Sequence, residues 1–241
     1  MTRIRLGVLT PSSNTALEPL TCAMLHGLAG VSAHFSRFSV TRISLDAQAL
    51  GQFDDGPILG AARLLADARV DVIGWSGTAA GWLGFESDRR LCARITEATG
   101  IAATSSILAL NELLARRGIR RIGLVSPYLP DVQQRIVAHY AAAGIETAAE
   151  SHLSIAENFA FAGVDEATLA AQVASVAAAA PQAIVPYCTN LYSAQLAARW
   201  EARHGVPVYD TTTTVVWKML RLCGFDTAVI EGWGSLMREG D

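Results

Sequence analysis

Pro181–Tyr192 reads PQAIVPYCTNLY, and Val70–Gly81 reads VDVIGWSGTAAG. In each stretch a short apolar run stops at small and polar residues. Laying Asp71–Thr78 over Gln182–Thr189 sets Gly77 opposite Cys188. Two more pairs recur in the same order and at similar offsets: RIRLGVLTPSSN (Arg3–Asn14) with IRRIGLVSPYLPD (Ile119–Asp131), and TGIAATSSILALNELL (Thr99–Leu114) with HGVPVYDTTTTVVWKML (His204–Leu220). Three pairs in register divide the chain into two βα-type halves. The first closes around Arg116–Gly118 and the second begins near Ile119.

Short apolar runs alternate with Ala/Leu-rich amphipathic stretches. Strands are expected at Arg5–Leu9, Asp71–Trp75, Arg121–Val125 and Ala183–Pro186, with weaker signals at Ala33–Val40, Glu146–His152 and Pro207–Tyr209. Helices are expected at Thr15–Leu28, Leu59–Ala68, Ser87–Thr99, Ser106–Arg117, Pro130–Ala143, Glu166–Ala179 and Tyr192–His204. Continuously apolar strands separated by helices indicate parallel sheets covered on both faces. The expected fold class is therefore α/β, with two pseudo-symmetric, doubly wound parallel-sheet domains and the site in the cleft between them. Open α/β sheets bind ligands at the carboxyl ends of their strands. Four such ends would converge there: Pro11–Asn14, Ser76–Ala79, Ser126–Tyr128 and Cys188–Asn190.

The bulk properties exclude several classes. In 241 residues, hydrophobic side chains make up 51% and charged ones 17%, which describes a globular chain. The net charge of −3, without a basic patch, argues against a nucleic-acid partner. The N-terminal Met1-Thr2-Arg3-Ile4-Arg5 runs directly into an apolar strand, without a signal peptide. The most apolar later stretch, Val173 to Tyr187, is broken by Pro181 and Gln182 and is too short for a membrane span. A cytoplasmic location is expected, with no membrane partner. The four cysteines are widely spaced and should be reduced. His26, His34, His139, His152 and His204 have no ligand spacing, and no P-loop or GxGxxG occurs, so no metal and no other cofactor is expected. A homo-oligomer is left open.

The strand ends carry the candidate chemistry. Cys188 precedes an expected helix N-terminus, where backbone N–H groups and the dipole lower a thiol pKa. Position alone leaves an inert strand cysteine and a reactive thiol equally open. Cys22, Cys92 and Cys223 look like structural helix-face residues. Ser12, Ser13 and Asn14 either cap a helix or cradle a carboxylate. Gly74-Trp75-Ser76-Gly77 is G-x-S-G, not the hydrolase G-x-S-x-G. Gly77-Thr78 suits an oxyanion site or a plain turn. Tyr128 is a possible anion donor or a packing residue, and Asn158 reads as a loop residue.

At these residues the chain resembles the aspartate/glutamate/hydantoin racemase superfamily, in its maleate cis–trans isomerase and arylmalonate decarboxylase branches. The carriers are TPSSNT after the first strand, SPY opening the second half and the cysteine of PYCTN. The resemblance implies two α/β domains, residues 1–117 and 118–214, with 215–241 folding back on the first. In racemases and maleate isomerases it implies two cysteines, one from each half. Here Cys188 stands and Gly77 replaces its partner, the pattern of the decarboxylase. The resemblance further implies a carboxylate hole from Thr78, the backbone at Ala79, Tyr128 and the backbone at Thr189 and Asn190. Ser13, Asn14 and Asn158 look more like the maleate isomerase, and Ala79 departs from the decarboxylase, whose hole includes a hydroxyl.

One thiol serves one face of a substrate. Two-base racemisation needs groups on both faces, and covalent cis–trans isomerisation needs a nucleophile, a role that the resemblance to the maleate isomerase branch gives to the first-half cysteine. The expectation is therefore a cofactor-free decarboxylase of an aryl- or alkylmalonate-like diacid. Its enediolate would sit in the oxyanion hole, and Cys188 would donate the proton. An apolar wall from Trp75, Trp82 or Leu191 would face the departing carboxylate. The alternatives are a maleate cis–trans isomerase or an Asp/Glu racemase-like isomerase acting on a small diacid, or a binding protein without turnover.

Overall fold

The computed structural model describes residues 3–239. Met1 and Thr2, which open the N-terminal stretch, and Gly240 and Asp241, which end the 215–241 segment, lie outside the described residues. The first half runs β1 (Ile4–Pro11), α1 (Leu17–Met24), β2 (Val31–Phe38), α2 (Ala47–Gly51), α3 (Asp55–Asp67), β3 (Val72–Trp75), α4 (Ala80–Leu83), α5 (Phe85–Thr99), β4 (Ala103–Ser105) and α6 (Ser106–Arg116). The second runs β5 (Arg121–Ser126), α7 (Pro130–Ala142), β6 (Glu146–His152), α8 (Asn158–Phe161), α9 (Glu166–Ala177), β7 (Ala183–Pro186), α10 (Ala197–His204) and α11 (Thr211–Leu222).

Both sheets are parallel, in the orders β2-β1-β3-β4 and β6-β5-β7. A parallel bridge from Ile184 to Val208 continues the second sheet, so the strand order repeats. The register repeats as well. Leu9 pairs with Trp75 in one sheet, and Val125 pairs with Pro186 in the other. Gly77 and Cys188 each lie two residues beyond those pairs and occupy equivalent places. The central strands are buried on both faces through Leu6, Val8, Ile73, Leu124, Ile184 and Val185. Each such side chain contributes about 1.5–3 kcal/mol on leaving water. A single apolar cluster spans both sheets, from Leu6 to Met237.

The expected elements differ from the observed ones in four informative places. Pro207–Tyr209 makes only the bridge at Val208, because Pro207 has no N–H to extend a ladder; its carbonyl accepts from Ile184 N at 2.8 Å. β4 is three residues of small side chains, too short and too polar to register as an apolar run. The helix expected from Tyr192 begins as a 3₁₀ turn at Ala194–Leu196 and becomes α-helical only at Ala197. Helix α11 was not expected at all, since it opens with four β-branched threonines, which are weak helix formers.

Two devices support α11. Asp210 caps it, accepting from Thr212 N at 2.7 Å, and Thr213 Oγ1 and Thr214 Oγ1 donate to the Asp210 and Thr211 carbonyls. Its inner face then packs on β3 of the first sheet. A Cβ at Gly74 would collide with Met219 and lie 2.8 Å from Val215. Gly74→Ala should therefore cost about 1–3 kcal/mol through overpacking.

Candidate active site

The carboxyl ends of β1, β3, β5 and β7 meet at one cavity. Pro11 comes from the first, Gly77, Thr78 and Ala79 from the second, Tyr128 from the third, and Cys188 and Thr189 from the fourth. Asn158, at the start of α8, also lines it. Apolar walls come from Trp75, Trp82, Val40, Ile43 and Phe53. Leu191 is buried but stands outside the cavity. None of the lining residues carries a charge.

Ser13, Asn14 and Asn190 stand one layer behind, with their side chains committed to protein partners. Asn14 Oδ1 accepts from Ala16 N (3.0 Å) and Leu17 N (2.9 Å), opening α1, while its Nδ2 donates to Thr189 Oγ1 at 3.3 Å. Asn190 Oδ1 accepts from Thr15 N at 2.9 Å, and its Nδ2 donates to the Asn158 carbonyl at 2.6 Å. Asn158 Nδ2 donates to Ser13 Oγ at 2.8 Å, and Ser13 Oγ donates to the Val40 carbonyl at 2.6 Å. This network stitches one half to the other through groups that hold the lining residues in place. Capping and carboxylate binding are compatible readings of this segment; Asn14 Oδ1 takes the Ala16 and Leu17 N–H groups at the start of α1, and Ser13 and Asn14 do not line the cavity.

Thr78 and Tyr128 join across the halves, with 2.6 Å between their hydroxyls. The Tyr128 ring is held edge-on by Trp82 and Phe161, at centroid distances of 5.4 and 5.6 Å. The backbone N–H groups of Thr78, Ala79 and Thr189 have no acceptor among the described residues. The hydroxyl proton left free by the Thr78–Tyr128 bond and three N–H groups, all from residues around one space, can meet an oxyanion.

Cys188 is 2% exposed, and burial pushes its thiol up to about 12. The Tyr128 hydroxyl and the Asn190 N–H, 3.4 Å from Sγ, pull weakly the other way. This reverses the expected lowering at a helix N-terminus. The helix begins at Ala197, nine residues on, so its dipole does not reach the sulfur. Cys188 is consequently a neutral S–H at physiological pH, able to donate a proton and poorly suited to attack as thiolate. Of the other cysteines, Cys92 is buried in α5, Cys22 is exposed on α1, and Cys223 is half-buried at the end of α11.

Gly77 has an ordinary negative φ, so its backbone does not demand glycine. Its neighbour does. A Cβ at Gly77 would lie within 2.5 Å of three ring atoms of Trp75. Sequence reading offered Trp75 only as apolar wall; nothing local signals that its ring folds back over the glycine two residues on.

Known proteins fall in with this geometry. A family profile described as arylmalonate decarboxylase matches residues 27–237. Arylmalonate decarboxylase of Bordetella bronchiseptica is 30% identical, over 74% of this chain and 75% of its own length. Maleate isomerase of Pseudomonas putida is 28% identical, over 97% and 96%. The crystal structure of the maleate isomerase Iso from Pseudomonas putida S16 superposes with a TM-score of 0.90 at 27% identity, covering 98% of both chains. Parallel-sheet topology, paired strand ends and family profile agree: the chain belongs to the arylmalonate decarboxylase family, within the aspartate/glutamate racemase-like superfamily.

Proposed function

We propose that this protein is a cofactor-free decarboxylase of a small malonate-type diacid. The observation that carries this reading is the asymmetry of the cavity. One face has a thiol held neutral by burial, and the equivalent place on the other has a glycine covered by an indole.

The retained carboxylate would be held by Thr78 Oγ1, Tyr128 Oη and the N–H groups of Thr78, Ala79 and Thr189. The other carboxylate would then lie against Val40, Ile43, Trp75 and Trp82, with no cation among the lining residues to stabilise it. A desolvated, unpaired carboxylate is favoured to leave as CO2. The bond between that carboxylate carbon and Cα breaks, and its electron pair passes through Cα onto the retained carboxylate as an enediolate. Thr78, Tyr128 and the N–H groups oppose that growing negative charge. Cys188 S–H then gives its proton to Cα, and the Asn190 N–H steadies the thiolate until water reprotonates it.

The cavity is only about 20 Å³, room for a water or two. Any diacid must therefore displace part of the wall. The segment carrying Val40, Ile43 and Phe53 is tied to the second half by Ile43 N to the Ala156 carbonyl (2.9 Å) and Asn158 N to the Thr41 carbonyl (3.0 Å).

The test is CO2 release from malonate, methylmalonate and phenylmalonate. Turnover of at least one is expected, and its absence for all three would sink the reading. A second reading, isomerisation of maleate, draws on the maleate isomerase relatives, which match nearly the whole chain. Fumarate formed from maleate, without CO2 from any malonate, would favour it.

A further inference from the structure

We propose that Trp75 is the residue that sets side-chain selectivity at this site, by filling the space over Gly77 and walling off a second cavity behind it. The proposal rests on reading the main cavity as the diacid site, whichever reaction occurs there.

Three observations carry it. The indole is fixed in place: Trp75 ends β3, paired with Leu9 and Ser105, is 1% exposed, and rests on the Phe38 ring at a centroid distance of 5.1 Å. The ring, and not the backbone, is what requires glycine at position 77. Trp75 and Gly77 thus form a coupled pair, large with small. In the other half the equivalent pair is Pro186 and Cys188, and the cysteine lines the cavity.

The third observation is the space behind the ring. A cavity of about 40 Å³ is lined by Phe53, Trp75 and Ala79, which also line the main cavity, and by the buried Asp88. Trp75 is the largest side chain common to both. Replacing it with a small residue would merge the two spaces and add the volume of the ring. A bulky substituent on the substrate would then have somewhere to go, on the side away from the Cys188 sulfur. With the indole present, the site should prefer hydrogen or methyl on Cα to phenyl.

The experiment compares methylmalonate with phenylmalonate in wild type, Trp75→Val and Trp75→Phe. Turnover is followed as CO2 release. Binding is followed by titration calorimetry in a Cys188→Ser background, where it does not depend on turnover. Circular dichroism and thermal melts select folded variants, with Trp75→Phe as the milder change. We expect the phenyl-to-methyl ratio, in kcat/KM and in affinity, to rise at least tenfold in Trp75→Val and less in Trp75→Phe. An unchanged ratio in a folded variant overturns the proposal. A shifted affinity ratio without CO2 from any malonate upholds Trp75 as the selectivity residue and rejects the decarboxylase reading. Failure of both malonates to bind any variant rejects both.

Discussion

The ends of β3 and β7 are the same place in two copies of one design, yet they differ in what they present. At β7 a cysteine lines the cavity, two residues beyond a proline. At β3 a glycine lies beneath an indole. A second contrast sits one layer back. Ser105 and Asp210 are equivalent in the repeat, and each caps the helix that follows. Ser105 donates to the carboxyl of Asp88 on α5, whereas Asp210 is itself the carboxyl and accepts from Ser193, both at 2.5 Å. Each half therefore buries one serine–aspartate pair, with the partners exchanged. Burial raises both acids, Asp88 to about 7 and Asp210 to about 6. Asp210 also receives the N–H groups that open α11, which offset part of its desolvation. Equivalent positions in a duplicated fold thus keep their backbone geometry while their side-chain chemistry diverges.

The comparison breaks most visibly at the thiol. Cys188→Ser should lower kcat for malonate decarboxylation by about 10²–10⁴-fold, the range for a general acid, with a much smaller effect on KM. If CO2 release survives this change, Cys188 is not the proton donor.

Next is the bond that joins the two strand ends. Tyr128→Phe removes one donor from the hole and frees Thr78 from its partner, and should cost about 10²-fold in kcat. A loss confined to KM would mean that Tyr128 helps ground-state binding alone.

The buried acids give a smaller effect, read as stability against pH. Asp88 has its folded pKa above its unfolded value of 3.8, so its contribution is present below about pH 4 and is lost as pH rises through about 7. Three units correspond to roughly 4 kcal/mol as an upper bound. Asp88→Asn should flatten the stability profile between pH 4 and 7, leaving the weaker slope of Asp210. Urea melts across that window check it, and an unaltered slope would refute the assignment.

The smallest effect addresses the indole and glycine directly. Gly77→Cys alone should destabilise by about 1–3 kcal/mol, because the side chain meets the Trp75 ring, and should give no racemisation. Gly77→Cys with Trp75→Val should recover stability and exchange deuterium into either enantiomer of the product acid. Additive stabilities of the two changes would show that the pair is not coupled.

Much of this was legible before any coordinates. The strands Arg121–Val125 and Ala183–Pro186 announced themselves as apolar runs cut off by polar residues, because strands buried on both faces leave no polar positions. Cys188, Thr78 and Tyr128 were singled out as candidates at strand ends, and the fold brings all three to one cavity. Asp88 and Asp210 were not singled out, since an acid in a helix or at a cap looks solvated until its neighbours are known. Helix α11 escaped because its threonines oppose helix locally, and only a cap and a packing surface on β3 reverse that preference.

The sequence by itself determined the duplication, the parallel strand pattern and the pairing of Gly77 with Cys188, since these follow from short-range periodicity and from comparing one half with the other. Tertiary structure alone decided that Cys188 is neutral, that Thr78 and Tyr128 meet, that Asn14 and Asn190 brace the site from behind, and that the Trp75 ring covers Gly77. Each of these depends on desolvation or on contacts between residues far apart in the chain. Such contacts leave no period in the sequence, because the partner that fixes a side chain's direction or its proton is brought in by the fold.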